Sequence, residues 1–309
     1  MDSLTNFRRI GKYLPEHMAR ALSKVPSASA MGISEVRLRT NRPVAVSVKG
    51  DNRFLTENGS LTDHPSLGIV CKSADIAKAF KAVCDYSIHS YEKDIARGFI
   101  TIEGGNRVGI CGTAVGSGTV ETIKYISGLN FRIAGQAVNI GEGLCRQFFD
   151  REPVGMLIMG VPLSGKTTML KSMCHHLGQK YRISIIDERS EIGAVYHGEP
   201  QNDVGMYTDI FDGFDKKSGI ETAVRVMSPQ IVVCDEIGGR ADCDAIMDSV
   251  NTGVKFLASV HGSEVEEVMS REHIKRLIDY GIFEYGVLLS GSSDPGNIAA
   301  IQRFGRGRH

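Results

Sequence analysis

The sequence predicts an α/β protein with two domains: a parallel α/β domain over residues 149–309, preceded by a smaller α+β domain over residues 1–148. Three observations predict this division. A chain of 309 residues that is 42% hydrophobic can form two cores of ordinary size. Apolar runs alternate regularly with helical stretches only in the second half of the chain. In that half, a glycine-rich loop at residues 160–167 joins an apolar run to a helix.

The front domain is predicted to combine helices with antiparallel strands. Apolar residues at helical spacing predict a helix over residues 12–25, which Pro26 ends. Two alternating runs, residues 99–103 and 107–111, flank Gly104-Gly105-Asn106 and predict a hairpin. The other predicted elements are strands at residues 35–39, 44–48 and 123–133 and a helix from Ser73 to about residue 86.

The second domain has the rhythm of a parallel sheet with helices on both faces. Strands are predicted at residues 154–159, 183–186, 231–234 and 256–260, and helices near residues 166–177, 219–227, 240–250 and 263–279. Two late apolar runs, residues 285–289 and 298–304, are predicted to add antiparallel strands at the edge of this sheet.

Charge and cysteine content restrict the class of protein. Residues 1–150 hold 19 Lys and Arg against 14 Asp and Glu, and residues 151–309 hold 17 against 22, so the halves carry +5 and −5. This mild asymmetry argues against a dedicated nucleic-acid domain, which concentrates its basic residues. Seven cysteines without a Cys-x-x-Cys pair indicate reduced thiols. With no signal peptide and no long apolar run, we expect a soluble, cytoplasmic protein without membrane insertion.

The loop at residues 160–167 has the pattern of a phosphate-binding P-loop, Gly-x-x-x-x-Gly-Lys-Thr. Its glycines let backbone N–H groups point at phosphate oxygens beside a helix N-terminus. Lys166 is expected to reach the β- and γ-phosphates of ATP, and the Thr167 hydroxyl to ligate Mg²⁺. The predicted nucleotide-binding residues are Gly160, Val161, Pro162, Leu163, Ser164, Gly165, Lys166, Thr167 and Thr168.

A second acidic site completes the prediction of a nucleotide triphosphatase. The apolar run at residues 231–234 ends in Asp235 and Glu236, which is a Walker B pattern. Asp235 is expected to hold Mg²⁺ through water, and Glu236 to polarise the attacking water. The pattern is common by chance, and its value here comes from lying in the same domain as the P-loop.

Two further groups of polar residues follow predicted strands, where doubly wound folds place their ligands. Asp187-Glu188-Arg189-Ser190-Glu191 comes directly after residues 183–186, and Ser259-Val260-His261 ends the run begun at Phe256. A lone histidine is usually a surface or core residue, but this position favours contact of His261 with the γ-phosphate or the attacking water. Glu188 is a catalytic candidate on the same grounds.

Taken together, the P-loop, Asp187-Glu188-Arg189, Asp235-Glu236 and Ser259-x-His261 resemble the Walker A, Asp box, Walker B and His box of the ATPases of type II secretion and type IV pilus machines. A closer resemblance, to the stage III sporulation protein AA family, covers essentially the whole chain. It rests on four further motifs: Glu35-Val36-Arg37-Leu38-Arg39, Ile102-Glu103-Gly104-Gly105, Pro200-Gln201-Asn202-Asp203-Val204-Gly205 and Met227-Ser228-Pro229.

The resemblance implies a RecA-like P-loop ATPase domain and a role in endospore formation. It implies a cytoplasmic ATPase of the mother cell that drives a secretion-like channel to the forespore, with ATP and Mg²⁺ as cofactors. Its implied partners are membrane-protein components of that channel and other copies of the chain in a hexameric ring. In such rings a basic residue of the front domain completes the nucleotide site; Arg132 is favoured here over Arg97 and Arg107, and Arg225 is a competitor from the second domain.

Two other functions stay open beside the motor. A nucleic-acid translocase uses the same core, but it needs a basic groove with interleaved aromatic residues. The chain has no Trp and no cluster of Lys or Arg with aromatic residues, which argues against nucleic acid as a partner. The third alternative is a nucleotide-gated assembly scaffold that binds ATP with little turnover.

Overall fold

The computed structural model describes residues 3–135 and 139–305, which form two compact units. Unit 1 is Met1–Gln136 together with the short segment Tyr196–Gln201, and unit 2 is Ala137–Val195 together with Asn202–His309. Residues 139–148 lie in unit 2, whereas the boundary predicted from the sequence follows residue 148. Within the described ranges, no helix combines the length and the apolar character needed to cross a bilayer.

Unit 1 is an α+β fold built on an antiparallel sheet of seven strands, in the order β5-β4-β3-β1-β9-β8-β7. Its strands are β1 Ile33–Arg39, β2 Arg42–Pro43, β3 Ala45–Val48, β4 Asp51–Leu55, β5 Leu61–Thr62, β6 Val70–Cys71, β7 Phe99–Ile102, β8 Asn106–Val115 and β9 Thr122–Arg132. Its helices are α1 Ser3–Arg9, α2 Glu16–Ser23, α3 Ser27–Ala30, α4 Ser73–Val83 and α5 Glu92–Arg97. The short strands β2 and β6 pair separately.

The core of unit 1 lies between its helices and one face of the sheet. Phe7 and Met18 from the helices and Val36 and Phe131 from the strands are fully buried in one cluster. Along β1, the buried residues Val36 and Leu38 are separated by the partly exposed Arg37. This pattern agrees with the half-buried strand that the sequence predicts. The hairpin of β7 and β8, predicted around Gly104, is confirmed.

The predicted helix over residues 12–25 is wrong at its start. The structure has a 3-10 turn at Ile10–Tyr13, an extended Leu14 and then α2 from Glu16. The reason is Pro15, whose ring disfavours a helical backbone at the preceding residue and suits the entry to the next helix. The apolar spacing continues through the break because both pieces bury the same side against the sheet.

A six-residue segment from the second half of the sequence, Tyr196–Gln201, belongs to unit 1. The Gln201 side-chain oxygen accepts a hydrogen bond from the backbone N–H of Gly104 at 2.8 Å. His197 Nε2 lies 2.9 Å from the Asp85 carboxylate, and the Tyr196 hydroxyl donates to the same group at 3.2 Å. Two of the motifs singled out in the sequence, residues 102–105 and 200–205, therefore meet through Gly104 and Gln201.

Unit 2 is a sheet of seven strands in the order β12-β11-β13-β14-β10-β15-β16. Its strands are β10 Met156–Gly160, β11 Ile183–Asp187, β12 Thr208–Asp212, β13 Ile231–Cys234, β14 Lys255–His261, β15 Tyr285–Leu289 and β16 Ile298–Arg303. Its helices are α6 Glu142–Phe148, α7 Lys166–Leu177, α8 Lys216–Met227, α9 Arg240–Asp248, α10 Val265–Ser270 and α11 Glu272–Asp279.

The sheet of unit 2 differs from the prediction in the direction of one strand and in having one further strand. β15 pairs parallel with β10, so residues 285–289 are not antiparallel as expected; only β16 runs antiparallel. The edge strand β12 is not among the predicted strands, because two of its five residues are aspartates and it has no apolar run; none of its residues is buried. The predicted central strands and the helix over residues 166–177 are confirmed.

Helices cover both faces of this sheet, as the near-continuous apolar runs predict. In β10 the side chains of Met156 and Ile158 pack with α6 and α7, whereas Leu157 and Met159 pack with α8 to α11. The central strands β10, β11 and β13 are buried along their whole length, which leaves their ends as the places where polar groups reach the surface. The polar residues considered below lie at the carboxyl ends.

The bond between Gln201 and Gly104 predicts a measurable loss when Gln201 is replaced by Ala. Gly104 N–H loses its acceptor, so we expect the free energy of unfolding of unit 1 to fall by about 1 kcal/mol. Hydrogen–deuterium exchange over residues 102–105 should then rise about fivefold. Gln302→Ala is the control, because that side chain is exposed and its amide donates to the carbonyl of its neighbour Arg303. Equal exchange in the two variants would contradict the prediction.

Candidate nucleotide-binding site

The P-loop lies where the sequence predicts, between the end of β10 and the start of α7. Gly165 caps α7 with a φ of 94°, and a Cβ at this residue would lie 2.8 Å from the backbone nitrogen of Gly296. Leu163 also has a left-handed backbone, with a φ of 63°. A glycine is therefore required at position 165 both by conformation and by space, and the loop is a turn that ends in a helix N-terminus.

The Lys166 ammonium lies over the loop that precedes it. Its Nζ donates to the carbonyl oxygens of Gly160 and Val161, each at 2.9 Å. Burial lowers the pKa of Lys166, while the negative charges of Asp235 and Glu236 act in the opposite direction. A half-buried ammonium whose hydrogen bonds go to neutral carbonyls favours an anion as an additional partner, and a phosphate is such an anion.

Thr167 and Asp235 come together although they are far apart in sequence. The Thr167 hydroxyl donates to Asp235 Oδ2 at 2.7 Å. A hydroxyl beside a carboxylate supplies the oxygen ligands that Mg²⁺ prefers, so these two residues fit a magnesium ion that also contacts phosphates. When bound, such an ion would neutralise part of the negative charge of the phosphates.

Ser259 connects Asp235 with the residue that follows it. Its hydroxyl bonds to Asp235 Oδ1 and accepts the backbone N–H of Glu236 at 2.8 Å, and its carbonyl accepts the N–H of Ile237 at 2.8 Å. Ser259 is fully buried in β14. In the sequence, Ser259 is noticeable only as part of the Ser259-x-His261 motif, which assigns no role to its side chain.

Two acidic side chains at this edge each have a cationic partner. Glu236 Oε2 lies 2.6 Å from Arg189 Nη1, and Glu188 Oε2 lies 2.5 Å from Lys216 Nζ. Burial alone would lower the pKa of Lys216, but its bond to Glu188 and its proximity to Asp242 give a net upward shift. Glu188 and Glu236 thus line one small cleft together with Asp187, Arg189, Glu191, Lys216 and Asp235.

Asp187 holds the backbone of the segment that carries Glu188 and Arg189. It is buried, and its carboxylate accepts N–H bonds from Glu191, Ile192 and Gly193 at 2.7, 2.9 and 2.7 Å. Burial raises the pKa of Asp187, and these backbone N–H bonds oppose the rise. Asp187 therefore fixes the loop in shape through backbone hydrogen bonds, whereas the Glu188 carboxylate pairs with Lys216 in the cleft.

The other two predicted catalytic residues lie at strand ends. His261 is the last residue of β14, is exposed, and pairs in register with Gly160 of β10. Arg132 is the last residue of β9 in unit 1, where its Nε lies 4.0 Å from Glu35. The alternative Arg225 lies in the last turn of α8.

The structure brings together residues from three separate parts of the sequence in unit 2. Lys166 and Thr167 begin α7 after β10, Asp235 follows β13, and Glu188 follows β11; these parallel strands end at the same edge of the sheet. The partners that sequence reasoning missed are Ser259, Lys216 and Arg189 as an ion-pair partner of Glu236. Arg189 could have been indicated by its position just after a predicted strand and Ser259 by its position near the end of one, whereas no sequence signal pointed to Lys216.

Comparisons with known proteins place this chain in a family. The model of the family "Sporulation stage III, protein AA" matches residues 7–308. Stage III sporulation protein AA of Bacillus subtilis (strain 168) is 33% identical over 299 residues, which cover 94% of each chain.

Solved structures show the fold. The Legionella pneumophila ATPase DotB matches with a TM-score of 0.56 and 14% identity over 89% of this chain and 76% of that one. The pilus retraction motor PilT, solved with bound ADP, matches with a TM-score of 0.57 and 14% identity over 83% and 74%. The predicted fold, a RecA-like P-loop NTPase domain preceded by a smaller α+β domain, is thereby confirmed. By its matched length and its identity to the Bacillus relative, the chain belongs to the sporulation stage III, protein AA family.

Proposed function

We propose that this protein is an ATP-hydrolysing motor of a secretion-like channel complex used during endospore formation, acting from the mother cell toward the forespore. The observation that carries the proposal is the contact of Thr167 with Asp235 beside Lys166, with Glu188 and Glu236 in the adjoining cleft. This is the arrangement that binding and hydrolysis of Mg·ATP require. Membership of a sporulation family supports the biological setting, and a fold shared with a pilus motor supports the mechanical one.

Binding of ATP rests on the P-loop and its helix. Backbone N–H groups of residues 160–168 would cradle the phosphates at the start of α7, and Lys166 would exchange its two carbonyl partners for phosphate oxygens. Thr167 and Asp235 would hold Mg²⁺. The exchange is favourable because an ammonium binds a phosphate more strongly than it binds a neutral carbonyl.

Hydrolysis needs a base that can activate water, and Glu236 is the proposed one. Its carboxylate is paired with Arg189, so it must leave that partner, or share it, before it can accept a proton from water. Glu188 has Lys216 as a comparable restraint. His261 is proposed to contact the γ-phosphate or the water from the end of β14, and Arg132 to complete the site by stabilising charge.

The proposed working form is a hexameric ring that contacts membrane-protein components of the channel from the cytoplasm of the mother cell.

Two other functions remain to be separated from this motor function: translocation of nucleic acid, and nucleotide-gated assembly with little turnover. Steady-state phosphate release, with and without single-stranded DNA, separates the three. We expect release that DNA does not stimulate, from protein that sediments as a ring with a non-hydrolysable ATP analogue. Strong stimulation by DNA would favour translocation, and a ring without release would favour the scaffold.

Replacing Lys166 by Ala should greatly weaken nucleotide binding, because the ammonium contacts phosphate already in the ground state. We expect the Kd for a fluorescent ATP analogue to rise by about 100-fold, equivalent to about 2.7 kcal/mol. Lys275→Ala, which removes an exposed ammonium paired with Asp279, should leave the Kd unchanged. Wild-type affinity in the Lys166 variant would place the nucleotide elsewhere.

Replacing Glu236 by Gln should separate binding from hydrolysis. The amide keeps the shape of the side chain but cannot take a proton from water, so we expect kcat to fall by about 10²- to 10³-fold with nucleotide affinity nearly unchanged. Single-turnover hydrolysis and equilibrium binding measure the two quantities. Glu266→Gln on the exposed surface of α10 is the matched control. Normal turnover in the Glu236 variant would assign the base to another residue, with Glu188 the first alternative.

A further inference from the structure

The Ser259 hydroxyl joins the two halves of the Walker B site. We propose that Ser259 is a positioning residue that turns the Asp235 carboxylate toward the metal and fixes the backbone of Glu236, so that Mg²⁺ binding and water activation depend on one buried side chain. The inference rests on the proposed function, because it concerns how the same site receives Mg·ATP. Ser259 is not part of the Walker B pattern, which consists of an apolar strand followed by Asp235 and Glu236.

The first observation is how Asp235 divides its two oxygens. Oδ1 bonds to the Ser259 hydroxyl, and Oδ2 accepts from Thr167. A carboxylate held at one oxygen cannot rotate freely, so the other oxygen stays directed at the Thr167 hydroxyl, the second proposed ligand. In metal sites, partners that orient a ligand in this way contribute about 10- to 100-fold to metal affinity.

The second observation is the backbone of Glu236, which has a φ of 54°. A left-handed conformation costs a non-glycine residue about 1 kcal/mol or more and persists only where its surroundings hold it. Here both N–H groups of the turn bond to the same residue: Glu236 N to Ser259 Oγ and Ile237 N to Ser259 O. The strained backbone that presents Glu236 therefore depends on Ser259.

The third observation is that a single hydroxyl satisfies both contacts. A serine hydroxyl has one proton to donate and can also accept. Glu236 N–H can only donate to it, so the proton of Ser259 is directed to Asp235. A shift of the Asp235 carboxylate therefore moves the Ser259 hydroxyl oxygen, and this oxygen also holds the backbone N–H of Glu236. The proposed metal ligand and the proposed base are thus linked through one atom.

A second buried serine provides a matched comparison within the same sheet. Ser184 lies in β11 and is, like Ser259, fully buried, but its hydroxyl has no hydrogen-bond partner among the described residues. Removing the Ser184 hydroxyl leaves no carboxylate and no N–H without a partner. The two substitutions to Ala thus remove the same atom from similar surroundings, and only one of them disturbs the Walker B turn.

The test is the Mg²⁺ dependence of nucleotide binding by the full chain. Fluorescent methylanthraniloyl-ADP is titrated with wild type, Ser259→Ala and Ser184→Ala, in EDTA and over a range of Mg²⁺ concentrations. For Ser259→Ala we expect the Mg²⁺ concentration that gives half of the affinity gain to rise about tenfold, with affinity in EDTA unchanged. Ser184→Ala should match wild type in both, and Ser259→Thr, which keeps the hydroxyl, should restore most of the Mg²⁺ response.

The outcomes separate this inference from the proposed function. A Mg²⁺ response of Ser259→Ala equal to that of Ser184→Ala overturns the positioning role while leaving the ATPase proposal intact. No nucleotide binding by wild type overturns both. If Ser259→Ala does not fold, Ser259→Cys replaces it, because a thiol has nearly the same shape but is a weak donor and acceptor. A full Mg²⁺ response in that variant likewise overturns the inference.

Discussion

The hydrogen bond between Thr167 and Asp235 is the contact on which the rest of the site depends. It joins the helix that follows β10 to the end of β13, and β14 lies between these two strands. The contact can form only because all three strands run parallel and end at the same edge. The parallel direction of the sheet is therefore the constraint that turns separate motifs into one site.

Buried strands below this edge give its charged groups an unusual setting. The central strands β11 and β13 are wholly buried, and Asp187 at the end of β11 and Asp235 directly after β13 place carboxylates beside the apolar core. Each acidic side chain has a specific partner: backbone N–H groups for Asp187, Lys216 for Glu188, Arg189 for Glu236, and Thr167 with Ser259 for Asp235. Charges near an apolar core need such partners, and the partners also fix their orientation.

Pairing of the two glutamates with cations has a consequence for catalysis. The ion pair with Arg189 restrains the Glu236 carboxylate, and the proposed base must release or share this partner before it can accept a proton from water. The proposed motor would need this restraint to change during its cycle, since hydrolysis without a productive step would waste ATP. The segment Tyr196–Gln201 follows the Asp187 loop in sequence and is held within unit 1 by Asp85 and Gly104.

The sequence by itself determined the P-loop, the Walker B residues and the parallel sheet, because each is a pattern of neighbouring residues with a fixed period or spacing. It did not determine the break at Pro15, the parallel direction of β15 or the strand β12. Strand direction depends on which neighbour a strand pairs with, and that is a property of the folded sheet. Only the tertiary structure decided that Ser259 holds Asp235 and Glu236, because those contacts join residues more than 20 positions apart.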